Sequence, residues 1–221
     1  MGKFKSVFDI IGPIMIGPSS SHTAGAARIG RVARSLFERE PKWANIHLYG
    51  SFAKTHKGHG TDEAIVGGIL DFETDNEDII CSLEIAKERG IQIQFIEEEK
   101  DADHPNTAKI VMGDENGQIE VTGISIGGGN IEIVGLNGYE LHISGEHSAI
   151  LVLHHDRFGV IANVTNLLSK NMINIGQMEV ARKEKGKVSL MTIEVDHNIS
   201  DELMKELSKL ENVVNVTRIV N

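Results

Sequence analysis

The chain has a single cysteine, Cys81, in 221 residues. A disulfide framework within the chain is thereby excluded. So is an iron–sulfur cluster held by this chain alone, because such clusters take about three or four thiolates. Cys81 lies in Asp78-Ile79-Ile80-Cys81-Ser82-Leu83, an amphipathic helical pattern, and is expected to be a small core residue. Positive charge is also short: 22 Lys and Arg stand against 32 Asp and Glu, a formal net charge of −10, and the basic residues are scattered. That balance argues against a nucleic-acid partner held by counterion release. No run of about 18 apolar residues occurs. The N-terminus lacks a signal peptide's basic, apolar and small-residue layout, so a cytoplasmic protein is expected. Hydrophobic residues at 40% and charged residues at 24% are ordinary for a soluble globular chain, long enough for one large domain or two small ones.

Polar residues are concentrated in one place. Gly17-Pro18-Ser19-Ser20-Ser21-His22-Thr23-Ala24-Gly25 sets three serines, a histidine and a threonine immediately before a helical pattern. One such residue would serve as an N-cap, its oxygen accepting from an orphan N–H of the first turn. Five in a row suggest instead a pocket where hydroxyls, an imidazole and backbone N–H groups face a small anion. Capping remains the alternative reading.

Residues 24–39 then place Ile29, Val32, Ala33, Leu36 and Phe37 on one helical face, and Pro41 follows. Ile46 to Gly50 reads as a strand. Thr55-His56-Lys57-Gly58-His59-Gly60-Thr61-Asp62 reads as a polar loop, with Thr61 capping a helix over 62–70. A further helix over 76–89 has Asn76 near its start and Gly90 past its end. From Ile91 the period changes to two, and Lys109–Met112 and Ile119–Ile124 flank the Asn116-Gly117 hairpin signal. Gly127-Gly128-Gly129 interrupts the strands that follow. An α+β domain is expected over 1–145, helices early and antiparallel strands late.

The last 75 residues or so read as a separate unit, with polar Ser144-Gly145 at the boundary. Strand 147–154, helix 158–171, strands 173–182 and 188–195, helix 201–209 capped by Ser200, and strand 213–220 make the ferredoxin-like order βαββαβ. Its first turn, His154-His155-Asp156-Arg157-Phe158-Gly159-Val160-Ile161, with Asn174 near the second strand, resembles an ACT domain, here over 148–221. Such domains typically pair and hold an amino acid at their interface. The resemblance implies Asp156, Gly159, Val160 and Asn174 as effector contacts, with Asp156 as a plain turn or cap residue the alternative.

Four N-terminal motifs in the same order, Gly17-Pro18-Ser19-Ser20-Ser21-His22-Thr23, Gly58-His59-Gly60-Thr61-Asp62, His104-Pro105-Asn106-Thr107 and Gly127-Gly128-Gly129, resemble the β chains of iron–sulfur-dependent L-serine dehydratases. The resemblance spans the whole chain. It implies an N-terminal domain similar to the substrate-binding regulatory domain of some phosphoglycerate dehydrogenases, followed by the ACT domain. It also implies a separate α chain whose cysteines carry a [4Fe–4S] cluster, a homodimer through the ACT domain, and L-serine as substrate. No metal is expected in this chain, and the isolated chain is expected to be inactive.

By the same resemblance His59 is the first choice for the base that takes the Cα proton, and His22 the second, supporting substrate or proton. Ser19, Ser20, Ser21 and Thr23 would bond the carboxylate. Asp62 or Asn106 would hold the ammonium, with Thr61 and His104 alongside. His56 is expected to be a surface residue, since no third ligand accompanies it and His59 at fixed spacing. Ser-His-Asp nucleophilic catalysis is disfavoured because the chain has no Gly-x-Ser-x-Gly elbow. A non-catalytic amino-acid sensor is the competing function.

Overall fold

A computed structural model describes residues 14–220, and the chain divides into two compact units between Asn137 and Gly138. In the first unit a single π-helical turn, Ser20–Ala24, runs directly into α1, Gly25–Phe37. Strand β1, Trp43–Leu48, is followed by α2, Gly50–His59, and α3, Thr61–Ile69. A short 3₁₀ turn, Glu77–Cys81, leads into α4, Ser82–Glu88. Strands β2, Gln92–Glu97, β3, Thr107–Asp114, β4, Gly117–Gly127, and β5, Asn130–Leu136, complete the unit.

The strands lie in the order β2-β1-β3-β4-β5. β1 and β2 are parallel, Ile46 opposite Phe95, whereas β3 runs antiparallel to β1, Ile46 opposite Ile110. A parallel neighbour requires a long crossover. The helices between β1 and β2 supply it, so the sheet is mixed rather than the antiparallel one expected. Ile46, Leu48, Ile110, Met112, Val121 and Ile133 are all fully buried and carry the core.

The helix–helix contact is set by small residues. A Cβ on Gly68 of α3 would overlap the Ala27 carbonyl oxygen of α1, and one on Gly30 would overlap the Ile65 carbonyl oxygen. Only glycine lets two backbones approach so closely.

Three expectations are corrected. Residues 55–59 are not loop but the end of α2. Phe52 and His56, one helical turn apart, are both buried, which gives the segment a core-facing stripe although His56 is polar. Thr61 is the first residue of α3 and not its cap; that position belongs to Gly60 at φ 65°, whose N–H donates to the His56 carbonyl. Cys81 is exposed, because the 3₁₀ turn rotates it away from the face that buries Ile79 and Ser82.

The second unit opens with β6, Tyr139–Ile143, then β7, Ser148–His155, α5, Val160–Lys170, β8, Ile175–Arg182, β9, Val188–Val195, α6, Asp201–Ser208, and β10, Val213–Ile219. The last four strands form an antiparallel sheet in the order β10-β7-β9-β8, the ferredoxin-like arrangement. Val164 and Leu168 of α5 and Leu203 and Leu207 of α6 pack on Ile150, Val152, Met191 and Ile193 of the central strands. Ser200 caps α6 by accepting from the Leu203 N–H at 3.2 Å.

Candidate functional site

The capping reading of the serine-rich segment is realised. Ser19 is extended at φ −141° and its Oγ accepts from the His22 N–H at 3.1 Å, so it caps the π turn. The turn itself, closed by Gly25 N–H to the Ser20 carbonyl, belongs to a rare class frequent at functional sites. It aims the His22 ring between two hydroxyls: Nδ1 is 3.4 Å from Ser19 Oγ, and Nε2 is 2.9 Å from Ser51 Oγ. Each ring nitrogen thus faces a hydroxyl able to donate or accept, and a neutral ring needs one of each.

His59, the last residue of α2, packs edge to face on His22 with centroids 4.9 Å apart and planes at 82°. Phe52 meets the same ring at 5.3 Å. Thr23 Oγ1 donates to the His59 carbonyl at 3.3 Å, which ties the π turn to the end of α2. Burial, and secondarily the neighbouring His59, pushes the pKa of His22 below the ordinary 6.5, so His22 is neutral at pH 7. The two histidines placed far apart in sequence therefore share one site.

Thr61 and Asp62 are buried at the start of α3. Thr61 Oγ1 has no hydrogen-bond partner among the described residues. Asp62 Oδ1 accepts from the Glu63 N–H at 3.1 Å, while Oδ2 stands 3.7 Å from His56 Nδ1. The surface position expected for His56 is overturned: it is only 4% exposed, stacks on Phe95, and places Nε2 2.9 Å from Glu97 Oε1. Its two nitrogens face carboxylates on opposite sides and so do not converge on one point. Among the described residues no group of three or more His, Cys, Asp or Glu is placed to hold a metal ion.

Glu63, beside Asp62, has its carboxyl pushed up from 4.5 to about 7, first by burial and then by the hydrogen bond and charge of Asp62. A raised carboxyl stays protonated in the folded chain while the unfolded chain ionises. The folded state then binds more protons, and stability falls as pH rises from about 4.5 through about 7. Glu63→Gln is accordingly expected to raise the melting temperature over wild type at about pH 8 and to leave it nearly unchanged near pH 4.5. Thermal melts at both values check this, and equal shifts at both would refute it.

His104 and Asn106 form a tight turn before β3. Asn106 N–H donates to His104 Nδ1 at 3.1 Å, and Asn106 Nδ2 donates to the Ser125 carbonyl at 3.4 Å. Between them the Pro105 carbonyl accepts from the Ser51 N–H at 2.7 Å, so this turn is fastened to the start of α2 next to His22's partner. Ser20 and Ser21 are half-buried on the π turn, with Ser21 beside Gly127 of the glycine run. Gly129 gives its carbonyl to Arg28 at 3.2 Å. Ser51 and Glu97 are partners of the candidate-site histidines that sequence reasoning missed. Ser51 follows Gly50 at a strand-to-helix junction, and that position was the available signal.

In the second unit, Asp156 Oδ2 accepts from the Gly186 N–H at 2.9 Å and Oδ1 lies 3.5 Å from Arg182. Gly159, at φ 86°, is the N-cap of α5, and Val160 is buried in its first turn. Asn174 Nδ2 donates to Asp196 Oδ2 at 2.7 Å. Asp156 precedes α5 and Asn174 follows it. Eleven helical residues rise about 16 Å, so one chain does not bring the pair together.

Residues 6–134 match the family model of the serine dehydratase beta chain, and residues 150–215 match that of the AHAS small subunit-like ACT domain. The sequence is 63% identical to the probable L-serine dehydratase, beta chain, of Bacillus subtilis (strain 168), over 99% of this chain and 100% of that one. It is 42% identical to the L-serine dehydratase, beta chain, of Peptoniphilus asaccharolyticus, over 93% of this chain and 94% of that one. A D-3-phosphoglycerate dehydrogenase of Bacillus subtilis (strain 168) is 27% identical over 88% of this chain and 37% of its own length.

Proposed function

This chain belongs to the serine dehydratase beta-chain family, and we propose that it is the β subunit of an enzyme converting L-serine to pyruvate and ammonia, supplying base and substrate contacts to a site completed by an α subunit. The observation that carries the reading is the edge-to-face pair His22–His59, with Ser19 and Ser51 on the His22 ring. Binding alone requires no such arrangement, whereas removing a weakly acidic Cα proton requires a positioned base.

His59 and His22 divide the work by electrostatics. Two imidazolium ions at this separation repel, and the neighbouring His59 is the second cause, after burial, that lowers His22. His22 is biased toward the neutral form. His59, the last residue of α2, has the more exposed ring of the two, open to an incoming substrate. His59 therefore takes the Cα proton, and His22 orients it and the hydroxyls of the π turn. Loss of the Cα proton and of hydroxide leaves an enamine, which tautomerises and is hydrolysed to pyruvate and ammonia. Ser19, Ser20, Ser21, Thr23, Thr61, Asp62, His104 and Asn106 are the polar groups proposed on the substrate side.

This chain's donor set does not fit a four-thiolate cluster, since its one cysteine is exposed on the turn Glu77–Cys81. The [4Fe–4S] cluster is assigned to the α subunit. Co-expression with a cysteine-bearing partner, followed by anaerobic assay for pyruvate and ammonia from L-serine, tests the reading. No turnover by the assembled complex would refute it, and brown colour in the isolated chain would refute the division of labour. The second unit is proposed to pair with a second copy: β8 is a sheet edge, with Met178 exposed. Light scattering of the isolated chain is expected to give at least a dimer, and a monomer would overturn that.

A further inference from the structure

The substrate-side groups named above leave one requirement unmet. An α-amino acid presents a carboxylate and an ammonium, yet the set Ser19 to Thr23, Thr61, Asp62, His104 and Asn106 contains no permanent cation. Its one permanent anion, Asp62, is buried and turned toward His56. Carboxylates are held most strongly by charge-assisted bonds.

A cleft of about 410 Å³ opens beside Ser51, lined by Gly50, Ser51, Lys54 and Thr55 of α2 and by Asp101, Ala102 and Pro105 opposite. Its size is within the range of small-molecule sites. Lys54 and Asp101 are both exposed, and neither has an ion-pair partner among the described residues. The two walls are fastened together by the Ser51 N–H bond to the Pro105 carbonyl at 2.7 Å. Thr55 Oγ1 is committed to the Ser51 carbonyl at 2.7 Å, which leaves Ser51 as the cleft's hydroxyl for a ligand. That hydroxyl is the one 2.9 Å from His22 Nε2. The first turn of α2 has no acidic residue, so its positive end adds to Lys54. Lys57, one turn along the same helix, lies instead on the Glu97 side, where the hydrogen bond and charge of His56, and to a smaller extent Lys57, lower the Glu97 carboxyl.

We propose that this cleft seats the charged end of an α-amino acid, Lys54 and Ser51 holding the carboxylate and Asp101 the ammonium, so that the ligand docks against the hydroxyl bonded to His22. The assignment rests on the serine reading above and deepens it. It makes Lys54 and Asp101 binding residues and Ser51 the link between bound ligand and His22.

The test uses the assembled αβ enzyme. Lys54→Met and Asp101→Asn are each expected to raise KM for L-serine about 10- to 100-fold, as loss of a charged hydrogen bond does, with kcat within about threefold. Lys54→Arg should recover part of the loss. Two partial ligands separate the roles: 3-hydroxypropanoate keeps the carboxylate and lacks the ammonium, and serinol keeps the ammonium and lacks the carboxylate. Inhibition by 3-hydroxypropanoate should weaken in Lys54→Met alone, and inhibition by serinol in Asp101→Asn alone. Unchanged KM in both variants, or equal weakening of both inhibitors in either, overturns the cleft while wild-type turnover leaves the serine reading standing. A wild-type complex without turnover overturns both.

Discussion

Gly68→Ala should lower the melting temperature by about 10 °C, while Gly58→Ala, the same change in another helix of the same unit, should raise it slightly. Both glycines are helical, at ordinary negative φ, so backbone strain does not enter. What differs is the space a methyl would enter. At Gly68 the new Cβ overlaps the Ala27 carbonyl oxygen and lies 2.7 Å from the Arg31 nitrogen and 2.9 Å from the Gly30 Cα. All three are backbone atoms of α1, so no side chain can swing aside and the helices must separate. Forced overpacking costs about 1–3 kcal/mol. A chain of 221 residues loses roughly 2–4 °C per kcal/mol, and the upper end applies because the obstacle is rigid. At Gly58 no atom lies within 4 Å of the new methyl. There alanine only relieves the helix-interior glycine penalty of about 0.5–1 kcal/mol. Thermal melts of the two variants check the pair. A Gly68→Ala chain as stable as wild type would mean that α1 and α3 do not meet backbone to backbone.

The same contrast shows which features were readable beforehand. In the second unit apolar alternation, the Ser200 cap and the turn at 183–186 all agree, and the strands and helices fall where they point. In the segment 55–60 they conflict. Two glycines and two histidines read as loop, yet only Gly60 takes positive φ, and burial of Phe52 and His56 holds the rest in α2. A polar residue serving as half of a buried stripe is invisible to hydrophobic periodicity. The candidate site was legible as composition: a cluster of hydroxyls, and histidines in two glycine-flanked motifs. Its partners were not. His22 finds Ser51 from 29 positions away and His56 finds Glu97 from 41. Such pairings are decided by the parallel β1–β2 crossover and the docking of Pro105 on α2, neither of which has a local signal. The lone Cys81 failed for a smaller reason, a 3₁₀ turn that shifts the helical phase by a residue.

His59→Ala in the assembled enzyme should reduce kcat for L-serine about 10²- to 10⁴-fold, the range for loss of a positioned general base, with the α and β chains still co-purifying. Assembly is expected to survive because the His59 side chain is exposed, and the bond from Thr23 to the His59 carbonyl, which alanine retains, still ties α2 to the π turn when the ring contact is lost. His22→Ala should also lower kcat, and less, since His22 acts through the ring it orients. The double variant should then be little worse than His59→Ala, because residues that act as a unit lose their effect together. The competing sensor reading predicts otherwise: serine dependence would shift while the maximal rate stayed near wild type. The pH profile separates them further. With His22 biased neutral, the pair keeps a proton-accepting nitrogen below the ordinary histidine range. Removing His59 takes away one of the two causes, the smaller one, that hold His22 below its ordinary pKa. The His22 titration, followed by NMR, should then move to higher pH in the His59→Ala chain. A His22 titration that stays put would mean that the two rings do not interact, and near-normal turnover in His59→Ala would remove His59 from the chemistry altogether.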